Sequence, residues 1–402
     1  MDMKVLVLNC GSSSVKYTFF DMRDEKRIAK GYIESIGLPE AFFIHQVAGQ
    51  EEIKEPCKVQ NHTEAVNLIL QTLIDPRHKV LENIKEISAV GHRVVHGGEK
   101  FAKPALINKD VLEDIRKCFV LAPLHNPHNY AGIMACEKLL PGVPEVAIFD
   151  TAFHQTIPYY AYFYGLPYSL YQRYNIRRYG FHGTSHAYVA QRAAKMLQKP
   201  IEELKLITCH LGNGCSITAI DRGLSIDTSM GFTPLEGLVM GTRCGDIDPA
   251  ILIHLQTVEN MPVEDINSLL NKKSGLLGLS GLTNDMRTIL KAVADGSERA
   301  KIAFDVFCYR VKKYISSYYG VLGGADALVF TAGIGENSPT VRENCCNGLS
   351  NLGITVDQVP NNAPSRGERM ISTPDSKVKV MVIPTNEELM IARETVEVLT
   401  KN

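Results

Sequence analysis

Two stretches half a chain apart share one pattern. Lys4 to Asp21 reads KVLVLNCGSSSVKYTFFD, and Leu204 to Asp221 reads LKLITCHLGNGCSITAID. Each has an apolar run, a cluster of Gly, Ser or Asn, a resumed period-two alternation and a closing aspartate, Asp21 or Asp221. Each predicts a β-hairpin whose tip offers bare backbone N–H groups, because glycine and serine put no bulk before an approaching phosphate oxygen. At 402 residues the chain is too long for one comfortable core. The repeat therefore predicts a duplicated α/β fold, two similar halves of mixed strands and helices with a cleft between them.

Further strands are expected at 87–95, 145–149, 224–227, 327–331 and 377–383, and helices at 63–73, 126–139, 185–197, 263–270, 297–319 and 386–399. Thr63, Asp110, Ser185 and Ser297 are expected as N-caps or first-turn residues. No low-complexity linker separates the halves. The run YYAYFYGLPYSLYQRY (Tyr159 to Tyr174) reads as a packed interdomain or subunit surface, with an aromatic nucleotide platform as the alternative.

Charge narrows the function classes. The 43 basic and 44 acidic residues leave a formal net charge of −1, which gives no electrostatic reason for a nucleic-acid or anionic-membrane partner. An anionic substrate must be met by a few placed basic residues. The ten cysteines form no C-x-x-C pair, which together with the absence of a leader ahead of the strand at Lys4 predicts a reducing cytoplasm. No apolar stretch approaches the ~18 residues of a membrane span.

Several segments carry chemistry. NCGSSSVK (Asn9 to Lys16) lacks the GxxxxGK[ST] pattern and opens a strand instead of a helix; Asn9 offers an oxygen to a metal, and Ser12, Ser14 and Lys16 offer donors to phosphate. In GHRVVHGGEKF, Arg93 ends an apolar run beside a Gly-Gly turn, a position suited to a bidentate grip on carboxylate or phosphate. Asp150 follows the run EVAIF directly, at the carboxyl end of a strand. RRYGFHGTSH places His182 and His186 four apart, the spacing of a zinc pair, but without an HExxH glutamate or an obvious third ligand. That segment reads instead as a Gly-flanked loop with Phe181 as an apolar wall, His182 as a hydrogen-bond donor and His186 packed on the following helix. HLGNG (His210 to Gly214), the 227–249 stretch that contains Arg243, and FTAGIGEN (Phe330 to Asn337) are three more glycine-rich turns, together pointing to a phosphorylated ligand. TNEEL opens a helix with Asn386, Glu387 and Glu388, whose acids suit the helix dipole and leave open which of them meets a metal.

NCGSSSVK, GHRVVHGGEKF, LAPLHNPHN, FDTAFHQTIP, RRYGFHGTSH, HLGNG, GFTPLEGLVMGTRCGDIDP, AGIGEN and TNEEL resemble, in order, the motif series of the acetokinase family, the acetate and propionate kinases, from Asn9 to Thr395. The resemblance implies a duplicated ribonuclease-H-like fold of the actin-like ATPase and sugar kinase superfamily, with an interdomain cleft. The corresponding domains are 1–150 plus 385–402, and 151–384 as the nucleotide-binding half. It implies a homodimer that joins ATP and acetate reversibly to ADP and acetyl phosphate by in-line displacement. Propionate as acceptor is the nearest alternative, and a non-catalytic ATP-driven switch the remote one.

Residue by residue, it implies Asn9 and Glu387 around Mg²⁺, with Mn²⁺ as an alternative ion, and Lys16, Ser12 and Ser14 near the nucleotide phosphates. It implies Arg93, His182 and Arg243 around the transferring phosphoryl group and Asp150 as the catalytic carboxylate. His210, Leu211, Gly212, Asn213 and Gly214, then Asp285, Met286 and Arg287, then Gly333, Ile334, Gly335, Glu336 and Asn337 would line the ATP site. Val95, Leu124, Phe181 and Pro234 would form an apolar acyl pocket. Since the acceptor carboxylate is already ionised, with carboxyl pKa values near ~4, Asp150 is expected to orient a metal-bound water or the γ-phosphate more than to accept a proton. Cys10, Cys215 and Cys244 stand where the family often has alanine, serine or threonine, and a thiol beside Arg243 is expected to make the site sensitive to oxidation.

Overall fold

The computed structural model describes residues 3–78, 80–364 and 367–401. The chain divides into two compact units, Met1–Gln155 with Asn386–Asn402, and Thr156–Thr385.

In the first unit the hairpin predicted at the N-terminus forms from β1 (Lys4–Cys10) and β2 (Ser14–Asp21), with Lys4 opposite Asp21 and Asn9 opposite Lys16. β3 (Lys26–Glu34), β4 (Phe42–Val47) and β5 (Ile53–Pro56) continue the antiparallel meander. On the other side of β1 lie β6 (Ala89–Val94) and β8 (Glu145–Phe149), both parallel to it, then the short antiparallel β7 (Ala105–Leu106). The order is β5-β4-β3-β2-β1-β6-β8-β7. The period of two divides β1 between two faces. Leu6 and Leu8 join Ile69 and Leu73 of the helix His62–Ile74 and Cys136 of the helix Asn126–Leu139 in one buried cluster. Val7 and Asn9 point to the opposite face, where the helix Glu387–Lys401 lies. Gly91 of β6 lets that helix approach, since a Cβ there would sit 2.5 Å from Thr395 Oγ1 and 2.8 Å from Ile391 Cγ2.

The second unit repeats the plan. β9 (Lys205–Leu211) and β10 (Cys215–Asp221) form the second predicted hairpin, with Lys205 opposite Asp221 as Lys4 is opposite Asp21. With β11 (Leu224–Thr228), β12 (Ala327–Thr331), β13 (Arg369–Met370) and β14 (Lys379–Val382) the order is β11-β10-β9-β12-β14-β13. β9, β12 and β14 are parallel neighbours and β13 is antiparallel to β14. This matches β3-β2-β1-β6-β8-β7 strand for strand and sense for sense. The expected duplication is present.

Helix caps follow local chemistry. Asn61, Asn108 and Ser297 accept backbone N–H groups at the starts of the helices His62–Ile74, Lys109–Lys117 and Glu298–Leu322. Thr63, Asp110 and Ser185 fall within first turns, and the cap before Ser185 is His182, in the left-handed region at φ 57°.

Candidate active site

In the first unit three candidate site residues stand at the carboxyl ends of three neighbouring parallel strands. Asn9 is near the end of β1, Arg93 near the end of β6, and Asp150 directly follows β8. Arg93 lies opposite Ile148 in the β6–β8 register, and Asp150 N–H donates to Val94 O at 3.0 Å, so the ladder brings Arg93 and Asp150 onto one face. There Arg93 Nε donates to Asp150 Oδ1 at 2.9 Å and Nη2 to Oδ2 at 2.5 Å. Asp150 is 1% exposed. Glu387 Oε2, from the first turn of the helix Glu387–Lys401, lies 3.9 Å from Arg93 Nε.

Burial opposes the charge on Arg93, but Asp150 and Glu387 more than offset it and hold the guanidinium pKa above its ordinary value. Burial pushes the Glu387 carboxyl up, against the pull of Arg93, and the Asp150 and Glu388 carboxylates push the same way. Asn9, Lys16, Arg93, Glu387 and Glu388 line one cavity of about 170 Å³. Ser12 and Ser14 stand at the hairpin tip and are not among its lining residues. Val95, next along from Arg93, is buried, and Leu124 is exposed on the turn before the helix Asn126–Leu139.

In the second unit the HLGNG turn joins β9 to β10, and side chains gather around it. His182 stacks on His210 with ring centroids 4.2 Å apart. A Cβ on Gly214 would lie 3.4 Å from His182 Nε2 and 3.6 Å from Arg243 Nη1, so the imidazole and guanidinium flank the same glycine. The left-handed backbone of His182 costs about 1–2 kcal/mol in a non-glycine residue, a strain typical of a site that needs its side chain aimed. Behind it, Ser216 Oγ bridges His182 Nδ1 at 2.9 Å and His186 Nε2 at 2.7 Å. His186 also bonds Thr208 and is buried, as expected for packing. Arg243 Nη1 donates to Pro234 O at 2.9 Å and approaches Met240 Sδ at 3.5 Å. Burial lowers its pKa, and these partners are neutral, so an anion beside it would relieve a desolvated charge.

A second cavity, of about 500 Å³, is lined by Gly212, Asn213, Asp285, Met286, Arg287, Gly333, Ile334 and Asn337. Three expected nucleotide residues stand behind it instead. Leu211 and Gly335 are buried, and Glu336 Oε1 accepts Ala332 N–H at 2.8 Å and Thr385 N–H at 3.1 Å, holding the turn after β12 to the chain beyond β14. His210 stacks on His182 and Gly214 lies beside His182 and Arg243, and neither lines the cavity. Phe181 is buried at 2% exposure. Pattern reading passed over Asn284, which lines the cavity and donates to Asn213 Oδ1 at 3.1 Å, and Ser216. Asn284 stands directly before the DMR run; Ser216 lies inside an alternating strand and carried no local signal.

The model of the acetokinase family matches residues 4–393. The chain belongs to the acetokinase family. It is 57% identical over 400 residues to the acetate kinase of Caldicellulosiruptor saccharolyticus, covering 99% of this chain and all of the relative. It is 56% identical to that of Halothermothrix orenii, over 99% of this chain and all of the relative. Among solved structures, the acetate kinase of Porphyromonas gingivalis matches with TM-score 0.95 at 47% identity, covering 99% of this chain and 100% of its own. A propionate kinase from Francisella tularensis matches with TM-score 0.92 at 45% identity, covering 98% and 99%.

The first-unit donors suit the hard cation implied by the acetokinase resemblance. Asn9, Glu387 and Glu388 offer only oxygen ligands, and a divalent ion would stabilise the Glu387 carboxylate against the burial, and the lesser repulsion from Asp150 and Glu388, that raise its pKa. The expected oxidation sensitivity is not supported. Burial pushes the Cys215 thiol up to about 12 and raises Cys244 as well, so neither carries the thiolate that oxidants attack. Among the described residues, no helix is long and apolar enough to cross a membrane.

Proposed function

We propose that this chain transfers the γ-phosphoryl group of ATP to the carboxylate of acetate, reversibly, giving acetyl phosphate and ADP. The observation that carries the reading is Arg93 fixed on Asp150 beside Glu387, at the strand ends next to Asn9. An acetate oxygen forms the new P–O bond as the bond from the γ-phosphorus to the bridging oxygen breaks, and ADP leaves with the electron pair. No proton has to be removed from the nucleophile, because its pKa is near ~4. Asp150, committed at both oxygens to Arg93, orients the guanidinium, and Arg93 in turn aligns the acceptor carboxylate or the transferring oxygens. His182 and Arg243 supply donors to the equatorial oxygens, and the 500 Å³ cavity takes the nucleotide. Asn9 and Glu387 would hold Mg²⁺, or Mn²⁺, which neutralises phosphate charge when bound.

The aromatic run supports a homodimer. Tyr162, Phe163 and Tyr171 pack on one another, while Tyr159, Tyr160, Leu166, Tyr168 and Tyr174 stay exposed and apolar enough to join a second copy. The ten free cysteines favour the cytoplasm.

Incubation with ATP, Mg²⁺, hydroxylamine and a series of short acids tests the activity, because hydroxylamine converts an activated acyl group, and not the free acid, to hydroxamate, and release of ADP instead of AMP marks it as an acyl phosphate. Acetate should be preferred and propionate tolerated. A preference for butyrate, or no hydroxamate with any acid, would overturn the reading.

A further inference from the structure

Apart from Leu124, which the resemblance puts at the acyl pocket, LAPLHNPHN, quoted above among the motifs, has no role in the reaction as described so far. Its two asparagines, Asn126 and Asn129, open the helix Asn126–Leu139, and the three-residue spacing puts both on one face. Both are buried, at 0% and 3% exposure, and both side-chain amides bond to backbone groups. Asn129 Oδ1 accepts Val95 N–H at 3.0 Å, and its Nδ2 donates to Cys10 O at 2.7 Å. Asn126 Oδ1 accepts His96 N–H at 3.0 Å, and its Nδ2 donates to His96 O at 2.8 Å.

The position of Asn129 follows from the ladder. The β1–β6 pairing ends at Leu8 and His92, two residues before the strands themselves end. The Val94–Val95 peptide gives its carbonyl to Asp150 on the β8 side, so its N–H points the other way, toward β1. Where a direct rung would close the strands together, the Asn129 amide stands between Val95 N–H and Cys10 O. It lengthens the rung and holds the strand ends apart by the width of a carboxamide. Asn9 precedes one end of this bridge and Arg93 lies two residues before the other. The next carbonyl, Gly11 O, is held by His62 Nε2 at 2.7 Å, and the His62 ring stacks on His128 of the helix Asn126–Leu139.

We propose that Asn129, supported by Asn126, is a positioning residue that sets the separation between Asn9 and Arg93, and through it the geometry of cation and acceptor. The proposal rests on the phosphotransfer reading above. It touches no reacting atom, so its loss should appear in the terms that depend on that separation and not in those that depend on the nucleotide cavity.

The test uses full-length Asn129→Ser and Asn129→Asp, with Asn108→Ala, a helix cap remote from the site, as a control that costs stability alone. Both Asn129 variants should lose ~10- to 100-fold in kcat/KM for acetate and in Mn²⁺ affinity measured by calorimetry, as changes that misorient a ligand do. The KM for ATP should stay within about twofold, and amide exchange should quicken over residues 93–97. Asn129→Asp adds a signature. A protonated carboxyl can donate to Cys10 O and accept from Val95 N–H as the amide does, and burial favours that form. Its deficit should shrink as pH falls from 8 toward 6, while that of Asn129→Ser stays constant. If both variants keep acetate kcat/KM and Mn²⁺ affinity within twofold of the parent, the proposal is wrong. It is equally wrong if they lose activity only in step with the folded fraction, as Asn108→Ala would. Failure of the parent to make hydroxamate would count against the phosphotransfer reading instead, whereas unchanged Mn²⁺ affinity in the variants counts against this one.

Discussion

Arg93 and Asp150 meet through two parallel N–H···O bonds, so both oxygens of a carboxylate placed at a strand end are turned onto a guanidinium. A base must have a lone pair aimed at the proton it takes. With one lone pair of each oxygen bonded to Arg93, Asp150 serves in the proposed reaction as an orienting group. The prior expectation had it orienting a metal-bound water or the γ-phosphate; the group it does orient is the arginine beside it. Asp150→Asn keeps one acceptor but sets an NH₂ against a guanidinium N–H. The loss in kcat should be ~10²–10³-fold, within the range of removing one placed electrostatic group, and nearly constant from pH 6 to 9. A loss confined to one side of a titration midpoint in the pH–rate profile would restore Asp150 as a base.

Arg243 and His182 flank Gly214 in the second unit. In the proposed reaction that desolvated guanidinium, bonded only to neutral groups, acts on the transition state more than on binding if it meets the equatorial oxygens fully only as the phosphoryl group moves in line. Arg243→Ala should therefore lower kcat by ~10³–10⁵-fold, as loss of an arginine finger does, with the KM for ATP changed by no more than a few fold. Steady-state kinetics that show a fall in kcat of less than tenfold would remove Arg243 from the transition state.

Gly333 lines the 500 Å³ cavity, and a Cβ built on it would meet nothing within 4 Å. Added bulk there would enter the open cavity, the proposed nucleotide space, without meeting protein atoms. Gly333→Val should raise the KM for ATP by roughly tenfold or more, the weight of one or two methyl groups in a fitted pocket, while leaving the melting temperature close to that of the parent. Parallel changes in both would mean that the residue packs against protein and not against nucleotide.

The parts of this fold legible in the letters were those with a short-range signal. The first hairpin, the strands at Glu145–Phe149 and Ala327–Thr331, and the helix Asn126–Leu139 come out with the expected bounds, and the second hairpin within one residue of them, because alternation and apolar periodicity are complete within each segment. β3 and β4 were passed over. Lys26–Glu34 carries lysines on an open sheet face, and its identity as a strand is decided by pairing with β2. Arg93, Asp150 and Asn9 were named singly. That they stand on adjacent strands depends on parallel crossovers of about 50 to 80 residues, which no local pattern encodes. Glu336 shows the opposite failure. Its Gly-rich surroundings suggested a ligand, whereas its carboxylate closes the protein's own turn.

Val95 is buried at 6% exposure, two residues beyond Arg93, and its branched side chain is expected to limit the acyl group. Val95→Ala should raise the ratio of propionate to acetate kcat/KM by about 10- to 100-fold, since each methylene is worth ~1–3 kcal/mol. The ratio is the useful readout because both substrates see the same folded fraction. An unchanged ratio would place the acyl wall elsewhere.

Glu394, on the helix Glu387–Lys401, has its carboxyl pushed from 4.5 up to about 7, first by burial and then by the charge of Glu397. Glu397 is itself bonded to Lys401, so part of its field is already balanced. A carboxyl that keeps its proton longer in the folded chain than in the unfolded one favours folding at low pH. That contribution is full below the unfolded pKa and is lost as pH climbs through about 7. Glu394→Gln cannot ionise and should lose nothing over that interval. The urea midpoint of the variant, measured against the parent, should therefore rise between pH 5 and pH 8. Taking the difference at each pH cancels groups common to both proteins, including the half-buried Asp21 and Asp285, whose arginine partners Arg23 and Arg287 lower their pKa values and drive stability the other way. A difference that stays flat across that range would mean water reaches the Glu394 carboxylate and no proton is retained on folding.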